Sequence, residues 1–155
     1  MPERNPISWR KPAVRAEPSL LLDTHIWLWL ACGTPGKISP GTLRTIEQAG
    51  KRRALFVSII SVWEIALLES KRRIALPMPA QKWVARALDN PEIKLIGLDE
   101  PEIVLDSCHL PEEFHADPAD RFLVATARTR NATLVTADQR ILDYSKLGHV
   151  KTLAP

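Results

Sequence analysis

Four carboxylates occur where a chain of alternating strands and helices would bring them to one edge. Asp23 closes SLLLD, Glu64 lies inside SVWEIALLE, Asp120 opens DPADRFLVATA and Asp138 closes TLVTAD. Asp23 and Asp138 end short apolar runs of strand character, whereas Glu64 and Asp120 lie near the starts of helical patterns. In an open parallel sheet, strand ends and the helix starts that follow them share one edge, where ligands bind. Carboxylates crowded together repel unless a cation neutralises them, and an all-oxygen set suits Mg²⁺ or Mn²⁺. Metal-assisted chemistry on a phosphate is what such a cluster can perform.

Each acid also has an ordinary structural role. Asp23 and Asp138 suit N-caps of the helices they precede. In D-P-A-D, Asp117 reads as the N-cap, Pro118 as the first helical residue and Asp120 as the third, where an acid meets the positive end of the helix dipole. Glu64 could be a solvated helix charge, yet it stands between Trp63 and Ile65. Helical side chains lean toward the N-terminus, so its long side chain can reach back to the sheet edge. Four segments delivering a carboxylate to the same edge favour a metal cradle over four unrelated caps.

The elements that must position these acids follow in regular order. LLL is a short buried strand, and THIWLWLAC an apolar helix stopped near Gly33 and Pro35. Ser39-Pro40 opens a helix through GTLRTIEQAG. ALFVS is the second strand, followed by the helical IISVWEIALLESKRR; Pro77 and Pro79 precede a further helix in AQKWVARALDN. IKLIGL is the third strand, PEIVLDSCHL a short helix, DPADRFLVATARTRN a longer one and TLVT the fourth strand. QRILDYSKL then reads as a short helix and HVKTL as an edge strand. This alternation predicts one α/β domain over residues 19–155, with a mainly parallel central sheet of about four to five strands and helices on both faces.

Residues 1–18 differ: four prolines, no hydrophobic period and a charge of +2 predict a flexible, Pro-rich basic arm. Trp9 and Val14 are its candidate docking residues. The whole chain of 155 residues carries +3, too little to identify a polyanionic partner by itself. Cys32 and Cys108 are far apart and lack metal-ligand spacing, which predicts free thiols. With no apolar run long enough for a membrane span, a cytoplasmic protein is expected.

The blocks LLLDTHIWLW, SIISVWEIALLESKRRIAL and HADPADRFLVATARTRNATLVTADQRIL, in this order and spacing, resemble the PIN-domain ribonucleases. They are most similar to the toxin subunits of VapBC-type toxin–antitoxin pairs. The resemblance covers residues 19–155. It implies that Asp23, Glu64, Asp120 and Asp138 bind Mg²⁺ or Mn²⁺ and carry catalysis. It places Thr24, Ser61, Asp117 and Thr136 beside them, where they could hydrogen-bond the carboxylates or waters. Arg121 could meet a substrate phosphate or the acids, or be a surface helix charge. The sequence departs from many relatives at Leu68, where a lysine is common, and Arg72, where a glycine is common.

The implied activity is that of an endoribonuclease in which metal-activated water attacks the phosphodiester in line, leaving 5′-phosphate and 3′-OH ends. The implied partners are an RNA substrate, a small antitoxin whose extended segment places a basic side chain among the acids, and a second copy in a homodimer. His25 and His115, close to quartet acids, read as surface or supporting residues. Trp27 and Trp29 read as core or dimer-face residues. Lys71, Arg72 and Arg73 suit a helix C-terminus and could also follow an RNA backbone. Two alternatives stand beside the nuclease. One is a PIN-like module that binds RNA or protein without turnover. The other, more remote, is a haloacid-dehalogenase-like phosphatase, whose second aspartate would fall at His25.

Overall fold

The computed structural model describes residues 17–155. The arm expected over residues 1–18, with Trp9 and Val14, lies outside the described residues except for Glu17 and Pro18. Both of these meet Arg52, which ion-pairs with Glu17 and donates to the Pro18 carbonyl at 3.3 Å.

Strand β1 (Leu20–Leu22) leads into helices α1 (Thr24–Cys32) and α2 (Pro40–Lys51). Then come β2 (Leu55–Ser58), α3 (Ile59–Ser70), α4 (Ala80–Leu88), β3 (Ile93–Ile96) and α5 (Pro101–Cys108). The chain finishes with α6 (Pro118–Thr129), β4 (Thr133–Val135), α7 (Gln139–Ser145) and β5 (Lys151–Leu153). The stop and start signals act locally. Gly33 ends α1 in the left-handed region at φ 61°, donating to the Leu30 and Trp29 carbonyls. Ser39 caps α2 by accepting from Thr42 N, with Pro40 in the first turn.

The five strands lie in the order β3-β2-β1-β4-β5, and every pairing is parallel. Buried strands alternate their side chains between the two faces, and the core divides accordingly. Leu20, Leu22, Val57 and Val135 pack with Ile26 and Trp27 of α1, Ile46 of α2, Ile65 of α3 and Trp83 of α4. On the opposite face, Leu21 and Leu134 pack with Ile103 of α5, Leu123 and Val124 of α6, and Ile141 and Tyr144 of α7. The three leucines of β1 are therefore buried from both sides. Among the described residues, no helix is long and apolar enough to cross a membrane.

From β1 the chain proceeds outward to β2 and β3, then returns across the sheet to β4 and β5. The order reverses between β1 and β4, which makes a crevice at the carboxyl ends of these strands. Asp23 N donates to the Val135 carbonyl at 3.0 Å there, tying the two strand ends together. That crevice receives the acids.

Candidate active site

Register decides the first contacts. Leu22 pairs with Val135, so the next residues, Asp23 and Thr136, face one another. Thr136 Oγ1 donates to Asp23 Oδ2 at 2.6 Å and accepts from Asp138 N at 3.0 Å. Asp23 Oδ1 accepts from Thr24 N at 2.6 Å, which caps α1. Thr24 Oγ1 lies 2.6 Å from Glu64 Oε2 and 2.9 Å from Ser61 Oγ. A threonine hydroxyl carries one proton. An ionised Glu64 can only accept, so Thr24 donates to it and Ser61 donates to Thr24. The side chains of Thr24, Ser61 and Thr136 are thus committed to holding Asp23 and Glu64.

A second group comes from α6 and α7. Asp117 caps α6 by accepting from Asp120 N at 3.2 Å. Asp138 caps α7, its Oδ1 accepting from Arg140 N at 2.8 Å. Arg140 Nη2 reaches back to Asp138 Oδ2 at 3.0 Å and across to Asp120 Oδ2 at 3.3 Å. His115 Nε2 lies 3.2 Å from the same Asp120 oxygen. It is buried and off the line of a good hydrogen bond, while Nδ1 accepts weakly from Asp117 N at 3.4 Å. Ligand atoms of His115, Asp120 and Asp138 all fall within 4.8 Å of one another, a spacing that could hold a metal ion. Capping and clustering are therefore the same fact: the helix starts that need carboxylates sit around one crevice.

The electrostatics follow from this crowding. Burial raises the Asp120 pKa from 3.8 to about 7, with Asp117, Asp23, Asp138 and Glu64 adding repulsion. Burial likewise raises Asp23 and Glu64, against hydrogen bonds from Thr136 and Thr24 respectively. Asp138 goes the other way: burial pushes it up, but side-chain and backbone hydrogen bonds from Arg140 outweigh that and lower it. Burial, then the charge of Arg140, lowers His115. Acids pushed toward protonation by one another are a set short of positive charge. Carboxylate oxygens around such a deficit, with the His115 nitrogen beside them, fit a divalent cation.

Arg121 is placed differently from its neighbour. Its Nε donates to the Ser107 carbonyl at 2.8 Å, and Nη1 to the Phe114 and His115 carbonyls at 3.0 and 3.2 Å. The guanidinium thus pins the loop that carries His115 to the end of α5 through main-chain carbonyls. Arg140, the cation that does meet the acids, has little sequence signal beyond lying two residues after Asp138 in TADQR. Among the other aromatic and basic candidates, Trp27 is fully buried while Trp63 is half-exposed beside Glu64. Arg72 adopts φ 55° just past α3, a left-handed conformation that favours glycine.

The PIN domain family model matches residues 20–147. Ribonuclease VapC22 of Mycobacterium tuberculosis is 32% identical over 126 residues, covering 81% of this chain and 92% of the relative. In structure, the chain is similar to VapBC2 from Rickettsia felis, crystallised with a promoter DNA fragment, at a TM-score of 0.64. That match has 17% identity and covers 87% of this chain and 97% of the other. FitAcB from Neisseria gonorrhoeae is similar at a TM-score of 0.58, with 17% identity over 86% and 96% of the two chains. These structural likenesses carry the fold, and the sequence matches carry the relationship. The chain belongs to the PIN-domain family.

Proposed function

We propose that this protein is a Mg²⁺- or Mn²⁺-dependent endoribonuclease acting as the toxin of a VapBC-type pair. The single observation that carries the reading is that Asp23, Glu64 and Asp138 all lie close enough to Asp120, around the β1–β4 crevice, to repel its charge. The relationship to a named ribonuclease supports RNA as the substrate class. No observation favours the phosphatase alternative.

Asp23 and Asp120 would hold the principal ion, and Glu64 and Asp138 would complete its surroundings. A bound divalent cation supplies a lowered pKa to water and charge to stabilise the crowded phosphate oxygens. The protein's own residues set the geometry. Thr24 fixes Glu64 Oε2, leaving Oε1 to accept a proton from the attacking water. Thr136 and the Thr24 amide orient both oxygens of Asp23. Arg121 acts at a distance from the reaction by positioning the His115 loop. Hydrolysis by water makes no use of the 2′-OH, so RNA preference rests on binding and single-stranded shape. The products carry 5′-phosphate and 3′-OH ends.

The proposed partners are a VapB-like antitoxin and a second copy of the chain. A mostly apolar cleft of about 910 Å³ is lined by Leu30 of α1, Leu76, Met78 and Trp83, with Arg86 and Asn90 at its polar positions, and contains none of the acids. Its size and lining suit an apolar segment of the antitoxin, and α1 links it to Asp23 and Thr24. Residues 19–155 form the nuclease domain. Purified protein should cleave single-stranded RNA in Mn²⁺, lose the activity in EDTA and regain it on adding excess Mn²⁺. Cleavage that persists in EDTA would contradict the reading.

A further inference from the structure

Arg140 occupies the place where two of the proposed metal ligands need a cation. Its Nη2 lies 3.0 Å from Asp138 Oδ2 and 3.3 Å from Asp120 Oδ2, while Nε lies 3.4 Å from Asp138 Oδ1. The fork is aimed by its own helix: Arg140 N donates to Asp138 Oδ1, so the cap that starts α7 also folds the side chain back over the cap. The guanidinium is permanently charged and cannot leave by losing a proton. Its side chain is 59% exposed, so the contacts to the acids are made by the fork while the stem faces solvent.

These oxygens are demanded twice. A guanidinium lying against Asp120 Oδ2 and Asp138 Oδ2 crowds a divalent ion coordinating the same atoms and competes with it for their lone pairs. Cation–cation repulsion at that range adds to the steric conflict. We propose that Arg140 is a resident counter-ion of the metal-free site, which an entering Mg²⁺ or Mn²⁺ must displace and which then faces solvent at the mouth of the crevice. This rests on the metal reading of the acids given above. It makes Arg140 a device that keeps the acids paired and the fold intact before metal arrives, and lowers metal affinity in doing so.

Removing the counter-ion should therefore strengthen metal binding. In a titration of the full chain followed by loss of the free Mn²⁺ electron paramagnetic resonance signal, Arg140→Gln should bind roughly fivefold more tightly than wild type, the scale of a half-exposed charge pair. Arg140→Lys, which keeps the charge without the fork, should fall between them. Arg130→Gln removes the same charge from a pair with Glu100 away from the acids and should match wild type. In EDTA, Arg140→Gln should melt below wild type, and Mn²⁺ should raise its melting temperature by more. Equal or weaker Mn²⁺ binding by Arg140→Gln, with wild type binding normally, would overturn this inference alone. Failure of both proteins to bind Mn²⁺ would overturn the metal reading and this inference with it.

Discussion

At the residue scale, the acids divide by how firmly the fold holds them. Asp23 uses both oxygens on neighbours and Glu64 one, whereas among the described residues the Asp120 carboxylate meets only Arg140 at 3.3 Å and His115 at 3.2 Å while four acids repel it. Thr24→Val keeps the shape of the side chain and cuts the tether to Glu64. Cleavage should fall by about ten- to a hundredfold, the usual range for a residue that orients a ligand, while metal-saturated rates of Ser61→Ala change less. Single-turnover cleavage in excess Mn²⁺ checks both; a full rate in Thr24→Val would mean that Glu64 needs no orientation. The placement of Asp23, Asp120 and Asp138 near the crevice was legible in the sequence because each follows a strand or opens a helix, whereas Glu64 lies in the second turn of α3 and gave a weaker signal. Arg121 was harder to read because consecutive helical residues diverge by about 100°, so standing beside Asp120 in sequence does not place it beside Asp120 in space. Arg140 was hidden because its approach depends on the three-dimensional return of α7 toward α6, which no local spacing records.

At the element scale, the strands and helices follow the apolar runs and cap residues closely. LLL, LFVS, IKLI and TLV form strands, and Ser39-Pro40 and Asp117-Pro118 open helices. HVKTL contributes Lys151–Leu153 as the edge strand β5. Helix ends were less legible. Arg53, Arg72 and Asn131 all take positive φ just beyond α2, α3 and α6, in turns that elsewhere favour glycine. After α3, Arg73 N donates to Leu68 O and Arg72 N to Glu69 O, so the turn is fixed by main-chain bonds and the Arg72 side chain is a passenger. Arg72→Gly should relieve left-handed strain and stabilise the protein by about 1 kcal/mol. Chemical denaturation of the two proteins tests this; a loss of stability would show that the Arg72 side chain has a holding role.

At the scale of the whole molecule, the parallel order brings two strand ends and two further helices to one crevice, and the resulting charge deficit should be measurable in stability. Asp120 is held near 7 in the folded chain against an ordinary 3.8, so between these values the folded state binds the extra proton. Stability from this group is full below about pH 4 and is lost as pH rises through about 7. Raised values at Asp23 and Glu64 act in the same direction. Metal-free protein should therefore melt at a lower temperature at about pH 8 than at about pH 5, and Mn²⁺ should remove most of that difference by taking the place of the protons. Melting curves in EDTA that show no such fall would contradict the crowding. The central claim is that these acids make a metal-dependent RNA hydrolase. It is tested most directly by mapping cleavage ends in total RNA treated with wild type or Asp120→Asn, each in Mn²⁺ or EDTA. Discrete cuts with 5′-phosphate ends are predicted for wild type in Mn²⁺, with the rate reduced by about 10²-fold or more in the variant and absent in EDTA. Equal cutting by Asp120→Asn, or 2′,3′-cyclic phosphate ends, would contradict it.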